Sequence, residues 1–166
     1  YVVAPQTNQF TKQPNRTVYY TAVKVSPDGR HVAYAENDRG RFSITVKSLE
    51  NGKEKKILQG GTRVIGQRVD YTVPLIGWSD ANTLGVIGVK QGDYWFWLYD
   101  LTTQSKLPRQ LDKFNNIRSI SFSANGRLAV MSADFEGKND LYLLSTRRDR
   151  TRRLTNDTFD DLDPSF

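Results

Sequence analysis

A repeated pattern constrains this chain more than any other feature of its sequence. Three segments begin with an apolar stretch that ends in serine and leads directly into a tight turn. The segments are Ala22–Gly29, Leu75–Asn82 and Ile120–Gly126. The spacing from Ser26 to Ser79 is 53 positions, and that from Ser79 to Ser123 is 44. We attribute the longer first spacing to an insertion at Gly60–Tyr71, so the chain is expected to consist of similar stacked units.

Two further sets of landmarks keep step with these serines. A strand ends at Leu49, Leu101 and Thr146, which follow their serines by 23, 22 and 23 positions. Apolar positions that close a last short strand follow after another 9, 10 and 8 positions, at Leu58, Leu111 and Leu154. A spacing of 44 lies within the range of about 40–45 residues that is typical of a four-stranded β-propeller blade. The sequence therefore predicts an all-β fold of about three four-stranded antiparallel propeller blades.

The turns and strands inside each repeat favour the same architecture. Asp28-Gly29 and Asn125-Gly126 are typical of hairpin turns, so we expect positive φ at both glycines. The inner strands are apolar on both faces, as in Leu84–Val89 and Trp95–Leu98. Strands of that kind are expected between two neighbouring sheets. We therefore interpret the aromatic run Tyr94–Tyr99 as packing between blades, and Gly85 and Gly88 as points where sheets approach closely.

The repeat also predicts how the chain is divided. Blades are expected at about 20–59, 72–112 and 116–156, with residues 160–166 as the first strand of a next blade. Residues 1–19 are expected to be an extended segment or a strand of a preceding blade. Closed propellers have typically four to eight blades, and three blades alone leave two apolar end faces exposed. We therefore expect a larger propeller or a second copy of the chain to cover these faces.

The strongest turn sequence resembles a known family of repeats. Val25–Tyr34, which contains Ser-Pro-Asp-Gly-Arg at 26–30, is similar to the TolB-like, WD-like β-propeller repeat of bacterial envelope proteins. The third repeat retains most of this pattern in Phe122–Ala129 without the proline, and the second retains only Trp78-Ser79-Asp80. The resemblance covers about residues 20–166. It implies the fold more firmly than any function.

What the resemblance implies about function is a binding role. TolB-like relatives act as platforms for protein–protein contact, which implies a scaffold segment with protein partners in a periplasmic or outer-membrane-associated protein. Similar propellers are attached to serine peptidases. The alternative is therefore the regulatory propeller of a serine peptidase or other hydrolase whose catalytic domain lies outside this chain. A third possibility is a sugar or peptide bound in the propeller channel.

One segment requires a test for serine hydrolysis. Gly77-Trp78-Ser79-Asp80-Ala81 lacks only the last glycine of a nucleophile elbow. That elbow needs a strand, a turn and a helix, whereas this strand leads into a hairpin. The only histidine, His31, precedes Ser79 by 48 positions, although the triad of that fold has its histidine after the nucleophile. We predict no catalytic residue, no enzyme activity and no cofactor for this chain.

Metal sites are also not expected. The chain has no cysteine, which excludes disulfides and thiolate ligands. The acidic cluster Asp157, Asp160, Asp161 and Asp163 offers oxygen ligands of the kind that Ca²⁺ prefers. It lacks the spacing of an EF-hand loop, and an acidic turn between blades explains it without a metal.

The net charge of +6 raises the question of an anionic partner. Much of the excess lies in one run of arginines: Arg147, Arg148, Arg150, Arg152 and Arg153. We identify these five side chains as a candidate surface for an anionic partner, with a solvated hairpin as the simpler interpretation. The flanks Leu143-Leu144 and Leu154 are typical of core rather than of a base-stacking platform, so nucleic acid is not expected. No apolar stretch reaches the about 18 residues of a membrane-spanning helix.

Overall fold

The computed structural model describes residues 19–61, 73–157, 160–162 and 164–166 of the chain. Most of the insertion placed at Gly60–Tyr71 lies outside the described residues, as does the segment 1–18.

Each repeat forms one four-stranded antiparallel sheet, in which the strands pair in chain order. The first sheet comprises β1 (Tyr19–Val25), β2 (His31–Asp38), β3 (Arg41–Ser48) and β4 (Glu54–Gly60). The second comprises β5 (Leu75–Trp78), β6 (Thr83–Lys90), β7 (Asp93–Asp100) and β8 (Lys106–Gln110). The third comprises β9 (Asn116–Phe122), β10 (Leu128–Phe135), β11 (Lys138–Ser145) and β12 (Thr151–Arg153). The described part of the chain has no helix, and the predicted all-β fold with three four-stranded blades is confirmed.

The first set of landmarks has one structural role in all three sheets. The residue after the third strand donates its backbone N–H to the carbonyl of the residue before the second strand. These pairs are Leu49 with Arg30, Leu101 with Asn82, and Thr146 with Arg127, at 2.8, 2.8 and 3.1 Å. In the second sheet the N–H of Ser79 bonds to the carbonyl of Thr83, which closes a turn one residue shorter than its counterparts. The spacing of 22 rather than 23 positions follows from this shorter turn.

The second set of landmarks is less regular than the sequence predicts. Leu58 lies inside β4, whereas Leu111 and Leu154 come directly after β8 and β12. Leu111 is buried, but Leu154 is 44% exposed. All three leucines lie within two residues of the end of the last strand, although they differ in burial. The outer strands contain 7, 5 and 3 residues, and the partly exposed edge of a blade fixes their register less strictly than inter-sheet packing does.

The hairpin turns have the predicted backbone conformation. Gly29 has a φ of 71° and Gly126 a φ of 65°. In the first turn the Ser26 hydroxyl donates to Asp28 Oδ1 at 2.6 Å and accepts the N–H of His31 at 2.9 Å. The third turn has the same arrangement, because Ser123 bonds to Asn125 and to the backbone of Leu128. The serine of the repeat thus closes its own turn in the first and third sheets.

The second sheet is buried on both faces, as predicted. Along β6, Leu84 and Val86 belong to the cluster shared with the first sheet, and Ile87 belongs to the cluster shared with the third. Along β7, Trp97 and Tyr99 face the first sheet, whereas Phe96 and Leu98 face the third. The aromatic run of β7 therefore packs between blades, which confirms the interpretation made from its sequence.

Two glycines of β6 allow the second sheet to pack closely against its two neighbours. A Cβ atom added at Gly85 would lie 2.2 Å from Cζ of Phe122 in the third sheet, and one at Gly88 would lie 2.8 Å from Cζ of Phe42 in the first. Both distances are shorter than any ordinary carbon contact. The rings of Phe122 and Phe42 therefore occupy the space that side chains at these two positions would need.

We expect Gly85→Ala to lower the free energy of unfolding by about 1–2 kcal/mol, because the added methyl group overpacks the interface between the second and third sheets. Phe122 is only half-buried, so its ring has room to shift and the effect stays moderate. In a Phe122→Leu background the same substitution is expected to cost little. Urea unfolding of both single variants and the double variant measures this, and simple additivity of the two effects would contradict the proposed contact.

The segment that follows the third sheet lies against that sheet. The carbonyl of Asp161 accepts hydrogen bonds from Asn139 Nδ2 at 3.1 Å and from the Ser132 hydroxyl at 2.7 Å. The carbonyl of Val73, two residues before the second sheet, accepts a similar bond from Asn37 Nδ2 at 2.8 Å. Residues 160–162 and 164–166 have no strand assignment. A first strand without its neighbour has no pairing partner, so residues 160–166 as the start of a next blade stay a prediction.

The free face of the first sheet is only partly apolar. Val23 and Val25 on β1 are 59% and 58% exposed. Further out on the same face, Lys47 pairs with Glu54 at 3.3 Å. The exposed apolar area is therefore confined to the inner strands of this end face. Its coverage by further blades or by a second copy of the chain stays a prediction.

Candidate functional site

A groove with a volume of about 780 Å³ opens between the second and third sheets. One wall is the outer strand β8, and the other is the hairpin that joins β11 to β12. Five cationic and two anionic side chains are among its lining residues. The charged ones are Arg109, Asp112, Lys113, Arg147, Arg148, Asp149 and Arg150. The volume lies within the range of about 300–1,000 Å³ that is typical of ligand sites.

The structure brings together three of the five arginines identified from the sequence. Arg147, Arg148 and Arg150 are exposed and line the groove. Arg152 is also exposed, but it does not line the groove. It pairs with Leu143 of β11, and its side chain is on the face of the short strand β12 opposite to that of Arg153. Arg153 pairs with Asp140, whose side chain is only 1% exposed. The run of arginines is therefore divided between a groove, a solvated face and a buried ion pair.

Two cations of the groove, Arg109 and Lys113, were missed by the sequence analysis. They belong to β8 and to the connection between the second and third sheets, more than 30 positions before the arginine run. The repeat itself carries the signal that would have found them. Because adjacent blades stack side by side, the outer strand of one blade lies near the outer hairpin of the next.

Arg109 connects the two walls of the groove. Its Nη1 donates to the backbone carbonyl of Ser145 at 2.9 Å and also to that of Arg148. The guanidinium carbon lies 5.4 Å from the ring centroid of Phe96, which fits a cation–π contact. Burial lowers the pKa of Arg109, and the nearby charge of Asp149 acts in the opposite direction. Because the pKa of arginine starts far above neutrality, the group stays protonated at neutral pH.

Ser79, the candidate nucleophile of the near-matching elbow, is buried and hydrogen-bonded to the neighbouring blade. Its hydroxyl donates to the backbone carbonyl of Gly126 at 2.8 Å. The hydroxyl of Thr146 donates to the same carbonyl, also at 2.8 Å. His31 lies in the first sheet, with its ring centroid 6.3 Å from that of Trp78. The serine that closes its own turn in the other two sheets here joins the second blade to the third.

We expect Ser79→Ala to lower the free energy of unfolding by about 1 kcal/mol through loss of this hydrogen bond. Generic peptidase and esterase substrates are expected to show no turnover with either the original chain or the variant. Thermal unfolding together with these two assays measures both effects. Hydrolysis that this single substitution abolishes would contradict the non-catalytic interpretation.

The described residues contain no group of three or more histidine, aspartate or glutamate side chains placed to hold a metal ion. Of the acidic cluster near the end of the chain, Asp163 lies outside the described residues, so a site that uses it stays untested. In the same ranges, no helix has the length and apolar character needed to cross a bilayer.

No family model and no curated protein matches this chain by sequence. Solved structures match it by fold. TolB from Acinetobacter baumannii has a TM-score of 0.63 at 16% identity, over 85% of this chain and 33% of its own. The β-propeller domain of the Trilobed protease from Pyrococcus furiosus has a TM-score of 0.57 at 16% identity, over 82% of this chain and 43% of its own.

A third structure of the same fold is a putative dipeptidyl aminopeptidase IV from Bacteroides ovatus. Its TM-score is 0.59 at 14% identity, over 89% of this chain and 30% of its own. The chain thus spans less than half the length of each of these three structures. Identities this low carry the fold but not the role. The chain therefore consists of three blades of a TolB-like β-propeller, the fold that TolB shares with the propeller domains of peptidases.

Proposed function

We propose that this chain is a non-catalytic interaction segment of a β-propeller, which presents its loops and edge strands to a protein partner. The observation that carries the proposal is the basic groove between β8 and the β11–β12 hairpin. The candidate nucleophile Ser79, by contrast, has its hydroxyl bonded to Gly126. The likeness to TolB supports a location in the bacterial cell envelope, periplasmic or associated with the outer membrane.

A second candidate function follows from the other structural neighbours. The protease from Pyrococcus furiosus and the putative aminopeptidase from Bacteroides ovatus both contain a propeller of this fold. On this alternative, the chain is the regulatory propeller of a hydrolase, and the catalytic serine lies in another domain. Labelling of the parent protein with a fluorophosphonate probe separates the two, because the probe reacts with an activated serine. Stable labelling would overturn the scaffold proposal.

Site-specific photo-crosslinking in the source cells tests the scaffold proposal directly. A photo-reactive amino acid replaces Leu107, which lies on β8 in the wall of the groove and is 49% exposed. The matched control is Lys55, which occupies the same register position on β4 of the first sheet. We expect a discrete protein adduct from position 107 and none from position 55. Equal crosslinking, or none at either position, would contradict the proposal.

The proposed location has its own measurement. Osmotic shock and membrane fractionation of the source cells are expected to release the protein with periplasmic or outer-membrane markers. Recovery with cytoplasmic markers would contradict the envelope assignment and leave the crosslinking test to decide the scaffold role.

A further inference from the structure

We propose that the groove between β8 and the β11–β12 hairpin binds an acidic, amphipathic peptide segment, with Arg109 as the residue that holds its carboxylate. This inference rests on the proposed scaffold function and names the site and the chemical class of the partner. It depends on three features of the groove: the unused hydrogen-bonding edge of Arg109, the mixture of cationic and apolar lining, and the position of Asp149.

The first feature is an unsatisfied edge of the Arg109 guanidinium. Nη1 is occupied by the carbonyls of Ser145 and Arg148. Nε and Nη2 are buried and have no hydrogen-bond acceptor among the described residues. A buried cationic donor without an acceptor is costly. These two atoms form the edge with which arginine binds a carboxylate through two parallel hydrogen bonds, so a carboxylate ligand would remove that cost.

The second feature is the composition of the walls. Besides its cations, the groove is lined by Leu107 and Pro108 from β8, and both are exposed. This mixture fits a peptide that alternates acidic and apolar side chains, since successive side chains of an extended segment point to opposite sides. Phe96, an aromatic ring of the groove lining, is only 1% exposed and lies beneath Arg109. It is therefore not available to stack a base, and single-stranded nucleic acid fits the groove less well.

The third feature is Asp149, an exposed carboxylate on the hairpin that also lines the groove. Burial lowers the pKa of Arg109, and the charge of Asp149 opposes this shift. Because both side chains line the same groove, Asp149 is the intramolecular anion that a ligand carboxylate has to compete with. Nε and Nη2 are closed to bulk solvent, and a ligand reaches them only when the lining side chains shift. The side chains of Arg147, Arg148 and Arg150 are exposed and have room to do so.

Fluorescence anisotropy with the purified full chain tests the inference. The probe is a fluorescein-labelled octapeptide of alternating glutamate and leucine, and the reference is the same peptide with glutamine in place of glutamate. We expect the acidic peptide to bind and the glutamine peptide to bind at least about tenfold more weakly, since the latter lacks the ionised partner. Equal binding of the two peptides would overturn the inference.

Variants of the chain locate the site. Arg109→Gln is expected to weaken binding of the acidic peptide about tenfold. Arg109→Lys is expected to weaken it nearly as much, because lysine keeps the charge but cannot bind a carboxylate through two parallel hydrogen bonds. Arg30→Gln is the matched control, since this arginine is exposed on the first sheet, outside the groove, and its loss changes the net charge equally. A similar loss of affinity in Arg30→Gln and Arg109→Gln would show that the effect comes from the net charge of the chain, and it would overturn the proposed site.

Two further variants keep the inference testable if Arg109→Gln does not fold. Arg148→Gln removes an exposed cation of the groove and is expected to weaken binding several-fold. Asp149→Asn removes the competing carboxylate and is expected to strengthen it several-fold. An unchanged affinity in both would overturn the inference. Tighter binding of a labelled oligothymidylate than of the acidic peptide, lost in Arg148→Gln, would also overturn it by identifying a nucleic-acid site.

Failure of this inference is distinguishable from failure of the proposed function. A protein adduct from position 107, combined with no binding of the acidic peptide, would leave the scaffold function intact and refute the acidic-peptide site alone. Binding of the peptide at Arg109 without any protein adduct in cells would leave the acidic-peptide site intact and refute the proposed scaffold function.

Discussion

Arg153→Met is expected to lower the free energy of unfolding by about 3 kcal/mol, at the lower end of the range for breaking a buried ion pair. The side chain of Asp140 is 1% exposed and pairs with Nη2 of Arg153. Without the arginine, the only hydrogen-bond donor that this carboxylate keeps among the described residues is the Thr155 hydroxyl, at 3.4 Å. Arg153 itself is 30% exposed, so water that enters the vacated space offsets part of the cost. Urea unfolding of both proteins measures the difference.

The neighbouring arginine supplies a matched control. Arg152→Met removes the same charge from the same strand, but Arg152 is exposed on the opposite face of β12. We expect this substitution to change the free energy of unfolding by no more than about 0.5 kcal/mol. A double variant with Asp140→Leu and Arg153→Met is expected to be more stable than Arg153→Met alone, since it no longer buries an unpaired charge. Equal effects of the two single arginine substitutions would contradict the buried pair.

The contrast between these two arginines shows where sequence analysis reaches its limit. Arg147 to Arg153 form one basic run in the sequence, and the expectation of a single surface treated them alike. In the structure, Arg152 and Arg153 are adjacent but point to opposite faces, because successive residues of a strand do so. Asp140, the partner of Arg153, lies on β11 and is one carboxylate among many in the sequence. Nothing local in the sequence marks it as buried.

The repeat was far more informative about the fold than about the groove. The spacing of the serines and of Leu49, Leu101 and Thr146 predicts three in-phase sheets, because those positions carry backbone hydrogen bonds that every blade needs. The groove depends on Arg109, a residue of one blade that contacts the backbone of the next. A periodic pattern describes what the repeats share, whereas Arg109 belongs to the second repeat alone. The periodicity therefore predicts which strands of neighbouring blades lie near each other, but not which of their side chains make contact.

Ser79 shows the same distinction within a shared position. The serine itself recurs in each repeat, so the sequence predicts a common role at the start of the turn. The second turn is one residue shorter, and there the hydroxyl bonds to the carbonyl of Gly126 in the third sheet. In the shorter turn, a hydrogen bond between blades thus takes the place of the hydrogen bond within the turn. The same contact brings the backbone of Ser79 so close to Gly126 that a side chain at position 126 would collide with it.

Gly126→Ala is expected to lower the free energy of unfolding by about 3 kcal/mol. Part of this cost, about 1–2 kcal/mol, comes from the left-handed backbone conformation, which an L-residue with a Cβ atom adopts at a penalty. The remainder comes from a collision, because the new Cβ atom would lie 2.2 Å from the backbone oxygen of Ser79 and 2.5 Å from its hydroxyl oxygen. A backbone oxygen has less room to move than the end of a side chain, so the two blades would have to separate locally.

Gly29→Ala isolates the first of these two costs. Gly29 occupies the equivalent turn of the first sheet with a φ of 71°, and a Cβ atom there would meet no atom within 4 Å. This substitution is therefore expected to cost only about 1–2 kcal/mol. The difference between the two alanine variants, measured by urea unfolding under the same conditions, reports the contact between the second and third blades. If both variants lose the same stability, the turn of the third blade does not press against Ser79, and the close packing of these two blades is refuted.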